Sequence, residues 1–541
     1  MVHTIRADFR GIGILPVAVA VALHVIPIVR RSILKFIPLV IVLMVLSPQG
    51  LQAAPPGLFQ ILVEDEETGR GVPLVELRTV HDTRFVTDSA GYVAIRDPEL
   101  LGQTVFFSVR SHGYEFPKDG FGFRGKALKL TGGGEETLKI KRLNIAERLY
   151  RATGAGIYAD SVLLGHPSPI QHPLLNAQVA GSDSVVMAVY RGKIHWFWGD
   201  TNRLRYPLGN FQVTGATSLL PDAGGLAPTI GVNFEYFAGD DGFAKPMAKM
   251  PGDGPTWIFG AVVVKDANGR ERLFTGYEKV RPPLEIYERG ICEFDDDRRE
   301  FVKVKSIDKN VPLHLQGHPF ANTANGLEYV YFGDPYPVMR VRATTAALLD
   351  VSQYEGFTCL TPGSRASSAK VERDTSGKVV WGWKRDTAAI TWSLQESLRK
   401  QQQLRPDEVW LKLTDVDSGK VIEAHRGSVT WNEHRKRWVL ITTQIRGTTS
   451  MLGEVWYSEA NQPEGPWIKA KKIVTHDKYS FYNPKQHPQF NAENGRFVFF
   501  EGTYTQSFSG NTDATPRYEY NQMMYRLDLD SPQLSTVQEA K

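Results

Sequence analysis

After residue 180 the chain alternates apolar and polar positions in short runs, and the runs come in pairs joined by tight turns. Five pairs stand out: Ser184–Thr201, Ile258–Lys279, Pro319–Pro335, Ser428–Gln444 and Pro488–Tyr504. Counted from the turn, one slot just past the second run holds Asp200, Glu278, Asp334, Gln444 and Glu501. Hairpins repeated at a long period are the signature of a radial array of small sheets. The expected fold is all-β, with a five-bladed β-propeller over residues 161–530 whose four carboxylates converge on one face.

Upstream, residues 54–142 also alternate in strand fashion, with Gly and Asp turns between the runs. They predict a small β-sandwich ahead of the propeller. The loop Ser111–Gly125 reads either as packed on the next domain or as a solvated hairpin tip. Residues 143–160 read as a docked linker, with Asn144 capping a short helix that carries Ile145, Leu149 and Tyr150 on one stripe. Residues 340–420 lengthen the interval between the third and fourth turns. They are expected to form an outward insertion walling the cleft, with a helix over Ile390–Gln403. Residues 531–541 are expected to be a disordered tail.

Residues 1–53 add a signal or membrane segment. Gly11–Val29 is almost wholly apolar, which is long enough for a membrane span. Arg30-Arg31 then precede a second apolar run, Phe36–Leu46, and the small residues Ala53-Ala54. That order is a charged region, an apolar core and a cleavage-like site. Arg30–Lys35 also resembles a twin-arginine signal. The expectation is an exported protein, periplasmic or extracellular, touching a membrane only through this segment if it is uncleaved.

Composition narrows the classes. With 63 basic and 59 acidic residues the net charge is +4, and no basic stripe interleaves with aromatics, so nucleic acid is not an expected partner. No Gly-rich phosphate loop joins a strand to a helix, so no nucleotide or other organic cofactor is implied. Cys292 and Cys359 have no metal-ligand spacing; they are either one bridge or two inert core thiols. Eleven Trp and 20 Tyr would suit a sugar-binding cleft or blade packing equally. The expected partner is a polysaccharide or oligosaccharide, and the expected state a monomer.

The chemistry expected of the acidic face is glycoside hydrolysis, which needs one protonated and one ionised carboxyl across the scissile bond. Asp200 follows Trp196-Phe197-Trp198 and precedes Asn202-Arg203, a cation that would keep it ionised as base or nucleophile. Glu501 follows Phe499-Phe500, an apolar collar that would raise its pKa for the acid role. Asp160, where the propeller begins, is a third catalytic candidate. Trp198, Asn202, Arg203, Glu278, His318, Asp334, His487, Tyr504 and Arg517 are candidate substrate contacts. Each acid could instead be a solvated turn residue, and His318 and His487 could be core histidines. A structural axial cation such as calcium, held by those two histidines, stays open; no other metal is implied. Arg517-Tyr518 and Tyr520-Asn521 look like substrate contacts, but could equally close the ring by pairing the last blade with the first.

Two resemblances bear on these readings. Asp65–Pro73 with Thr87-Asp88-Ser89-Ala90-Gly91 resembles the carboxypeptidase-regulatory-like, prealbumin-type sandwich, whose members are usually spacers or binding accessories. Phe197-Trp198-Gly199-Asp200-Thr201 with Asp183-Ser184-Val185-Val186 resembles the first blade of a family of secreted five-bladed propellers, some of them endo-D-arabinanases. More loosely the layout is similar to arabinanase and β-fructosidase propellers. The resemblance implies a catalytic or substrate-binding role for Asp200 alone. Rival expectations are a non-catalytic glycan-binding protein and a polysaccharide lyase in which Arg203, Arg426 or Arg517 neutralises a uronate.

Overall fold

The computed structural model describes residues 54–538. The proposed export segment and residues 539–541 lie outside them. Among the described residues no helix is long and apolar enough to cross a membrane.

Two four-stranded sheets make up the first part of the fold. One orders Tyr92–Ile95, Phe59–Asp65, Glu135–Arg142 and Tyr114–Glu115; the other orders Arg84–Val86, Glu76–Thr79, Thr104–Arg110 and Gly125–Lys129. Their inward residues, among them Ile61, Val63, Leu77, Val93, Phe107 and Leu138, share one core. The two turn glycines read from the sequence are sterically required. A Cβ on Gly71 would stand 1.8 Å from the Ala90 carbonyl oxygen, and one on Gly91 2.6 Å from that of Val63. The tip of the loop Ser111–Gly125 is solvated, with Phe121 91% exposed, while His112 at its base bonds Tyr504 in the last blade.

The rest is a five-bladed propeller. Blade one starts with Val185–Tyr190 and Lys193–Trp198, blade two with Thr256–Lys265 and Glu271–Arg281, and blade three with Phe320–Ala324 and Leu327–Phe332. Blade four starts with Ala424–Asn432 and Arg437–Gln444, and blade five with Ser480–Gln486 and Phe497–Thr505. Antiparallel hairpins build each blade outward from its first strand. The inner strand of blade one lies against those of both blade two and blade five, so the array is a closed ring. Each blade's first strand is the sheet edge that faces the axis, and the ring of blades leaves these edges short and protected.

Three expectations about organisation change. The linker helix is a strand: Glu147–Arg151 pairs antiparallel with Asn521–Asp528 as the outermost strand of blade five. All five of its residues are buried. A stripe of Ile145, Leu149 and Tyr150 is too short to distinguish the two periods, and the unpaired edge of the last blade decides for a strand. Residues 340–420 are not an outward insertion. Together with Met339 they supply the outer strands of blade three, Met339–Arg342, Glu355–Thr358 and Gly382–Arg385. The helix forms at Trp392–Lys400, where Thr391 accepts from Leu394 N, and buries Leu394 and Leu398 against the core of blades three and four. The expected tail is ordered to residue 538, because Leu534 and Val537 are buried in the core of blades four and five. Both cysteines are free and buried.

Candidate functional site

Each inner strand begins on the same face, and each second strand ends there. Residues before the first strand and after the second therefore meet around the axis, where they line one cavity of about 590 Å³. Blade one contributes Asp183, Ser184, Trp198 and Asp200; blade two Trp257 and Phe259; blade three His318 and Asp334. Blade four contributes His425 and Arg426, and blade five Tyr482, Asn483, Phe508 and Tyr520. All five blades thus build the wall, which has the mixed apolar and polar character of a ligand site.

Blade one brings two acids together. Its ladder pairs Val185 with Trp198, and two steps further Asp183 N donates to the Asp200 carbonyl at 2.9 Å. Asp183 and Asp200 are therefore direct cross-strand neighbours, a relation that puts Cβ atoms about 5 Å apart. Gly199 makes room, since a Cβ there would lie 3.2 Å from that of Asp183. Asp183 Oδ1 accepts from Ser184 N, Ser184 Oγ and the Tyr482 hydroxyl at 2.6, 2.9 and 2.8 Å. The Tyr520 side chain lies beside the same carboxyl. Asp200 has less support. Trp257 lies beside it, and its Oδ1 is buried without a hydrogen-bond partner. Burial first, and the Asp183 charge second, push Asp200 up to about 6.

Across the cavity stands a second polar group. Asp334 Oδ2 lies 3.3 Å from Arg426 Nε, and its Oδ1 accepts from Gly427 N at 3.3 Å. Burial pushes Asp334 up to about 6 against the opposing pull of Arg426. His425 is pushed down to about 4 and His318 well below its ordinary value, both chiefly by burial. Three non-glycine wall residues, Asn483, Phe508 and Tyr520, adopt left-handed backbone with φ of 53°, 66° and 59°. Such conformations cost energy and gather at functional sites.

Of the residues expected at the site, Asp200, Trp198, His318, Asp334 and Tyr520 line the cavity. The others do not. Glu501 is in the middle of Phe497–Thr505, opposite Lys485, and 1% exposed. The inner strand of blade five is Ser480–Gln486, upstream of the Pro488–Asn491 run taken for it, so Glu501 sits inside the blade. His487 likewise lies past the end of that strand, 3.1 Å from Glu501 but not aligned for a hydrogen bond. With Lys485 pushed down to about 8 by burial, the three form an internal cluster. Among the described residues no group of three or more His, Cys, Asp or Glu side chains converges as metal ligands.

Asp160 belongs to the join between the two parts. It pairs with Arg517 at 2.7 Å and accepts from Ala94 N of the sandwich at 3.3 Å. Tyr504 is fully buried and bonds His112 and Thr515. Arg203 points away from Asp200, onto Gln178 and Asp241 at 2.9 and 2.7 Å. Arg203 therefore does not hold Asp200 ionised, as its place in the sequence had suggested. Asn202 stabilises its own loop by accepting from Leu208 N. Glu278 pairs across from Trp257, one strand outward, with His314 at 3.8 Å. Tyr518 does help hold the ring to the sandwich, donating to the Thr87 carbonyl at 2.7 Å. Tyr520 lines the cavity, as its reading as a substrate contact expects. Asp183 and Tyr482 were not singled out as site residues; the signal for Asp183 was the strand-start slot it shares with Trp257, His318 and Arg426.

No protein-family model matches the chain, and no curated protein does. Among solved structures it is similar to an exo-1,5-alpha-L-arabinanase from a bovine ruminal metagenomic library, at 10% identity over 65% of this chain and 94% of that chain, with TM-score 0.32. It is also similar to an exo-beta-1,3-galactanase from Phanerochaete chrysosporium, at 9% identity over 71% and 65%, with TM-score 0.35. A third is an N-acetylgalactosamine deacetylase from F. plautii, at 11% identity over 73% and 97%, with TM-score 0.34.

Proposed function

We propose that the protein is a glycoside hydrolase working in the axial cavity, with Asp200 as general acid and Asp183 as its ionised partner. The observation that carries this reading is the cross-strand pair itself. Two carboxyls share one wall, and their surroundings differ: three donors converge on Asp183, while Asp200 keeps a bare buried oxygen. Splitting the protonation of a close pair in this way assigns an acid and a base. An acid near 6 holds its proton in mildly acidic solution and can pass it to a leaving oxygen. Trp257, Phe259 and Phe508 offer flat apolar surface for sugar rings.

The resemblance around Phe197–Thr201 makes D-arabinan the first substrate to try, beside L-arabinan, xylan and galactan. Incubation should release reducing ends, with activity falling as pH rises through about 6. Release of an unsaturated, ultraviolet-absorbing product instead would establish a lyase and remove this assignment.

Export is part of the same proposal and rests on the apolar run and twin arginines of residues 11–54. N-terminal sequencing of the protein recovered outside the cytoplasm should begin close to Ala54. Recovery of the intact chain from the cytoplasm alone would refute export.

A further inference from the structure

We propose that Asp334 and Arg426 form a clamp for adjacent hydroxyls of a neutral sugar, set across the cavity from the reacting pair. This rests on the hydrolase reading for its position but makes a separate claim about recognition.

The argument begins with donor and acceptor geometry. Arg426 uses Nε on Asp334, and its side chain is 40% exposed to the cavity. Its two terminal amino groups have no bonded partner among the described residues. Its guanidinium lies over the Phe259 ring, 5.6 Å from the centroid, which fixes the plane. Asp334 is fixed separately by the Gly427 amide. A rigid fork of N–H donors thus stands beside a carboxylate acceptor. Each of two neighbouring sugar hydroxyls both donates and accepts, so one can accept from the fork while the other donates to the carboxylate.

Charge then separates neutral from acidic sugars. The wall carries three aspartates and one arginine, and that arginine already faces an aspartate. The other cationic candidates are elsewhere: Arg203 is tied to Gln178 and Asp241, and Arg517 to Asp160. His318 and His425 are buried in a way that disfavours their charged forms. A uronate entering this cavity would meet repulsion without a free partner charge.

The test measures binding without turnover. In an Asp200→Asn background, calorimetric titration with arabino-oligosaccharides should show binding that Arg426→Lys weakens about tenfold or more, because lysine keeps the charge but loses the fork. In the active enzyme the same substitution should raise KM with kcat little changed, the mark of binding lost equally in ground and transition states. Arg426→Met should behave alike, and melting temperatures near that of the parent confirm folding. Unchanged affinity in Arg426→Lys, no binding of any neutral oligosaccharide, or tighter binding of oligogalacturonate each overturns the clamp while leaving hydrolysis to be judged by product release. Binding that depends on Arg426 with no product from any polysaccharide supports the clamp and removes the hydrolase reading.

Discussion

Asp200→Asn should lose about 10²–10⁴-fold in kcat, the range for removing a general acid, and should melt higher than the parent at pH 8. Both results follow from one feature of the cavity. Asp200 is desolvated and beside the Asp183 charge, so its folded-state pKa rises from 3.8 to about 6. A carboxyl raised on folding stabilises the fold while protonated. That contribution is fully present below about pH 4 and is lost as pH rises through about 6. Above that range the parent carries an ionised, poorly solvated carboxylate that the asparagine variant lacks. A shift of this size corresponds to at most about 3 kcal/mol. The carboxyl borders an open cavity, so about 1–2 kcal/mol is the expected gain after solvent screening. At pH 4 the two melting temperatures should converge. Asp160→Asn and Glu501→Gln are the controls. Each breaks a buried contact and should lower stability, yet kcat should hold, since neither lines the cavity. Near-normal kcat in Asp200→Asn removes it from the mechanism. A lower melting temperature at pH 8 removes the account of its protonation.

The same residue marks how far the sequence could be read. In blade one the turn is two residues, Arg191 and Gly192, both with left-handed backbone, so the register from Val185 to Asp200 follows from counting. Blade five has no such turn. Its first two strands are joined through residues 487–496, which hold two short 3₁₀ turns, and the Asn494-Gly495 step imitates a hairpin. Counting from there placed Glu501 and His487 on the cavity face, whereas the strand runs on to Thr505. Asp200 was found by its slot, but the cation expected beside it is not there. Arg203 is near in sequence and turned outward in space, as alternation along Thr201–Arg203 allows. Asp183 was legible in position and not in role, because its neighbours Tyr482 and Tyr520 come from the far end of the chain.

Arg148→Met should cost about 3–5 kcal/mol, since several buried acceptors are left unpaired at about 1–3 kcal/mol each, and Leu149→Pro should prevent folding altogether. The strand Glu147–Arg151 joins two structures at once. Toward the ring it pairs with Asn521–Asp528, and its Leu149 and Tyr150 pack with Val185, Ile194 and Trp196 of blade one. Toward the sandwich, Arg148 is 1% exposed and donates to the carbonyls of Pro73 and His112, both at 3.0 Å, and to Ser111 Oγ. Its guanidinium also lies 5.1 Å from the Tyr114 ring centroid. Methionine fills similar space but leaves those acceptors buried and unpaired, which is the expensive half of losing a hydrogen bond. Proline at position 149 removes an N–H from the strand and cannot keep its geometry. Because one strand serves both structures, sandwich and propeller should unfold in a single denaturant transition followed by tryptophan fluorescence. Two separated transitions in the parent, or a chain lacking residues 54–151 that unfolds at the parent midpoint, would show that the ring closes without this strand.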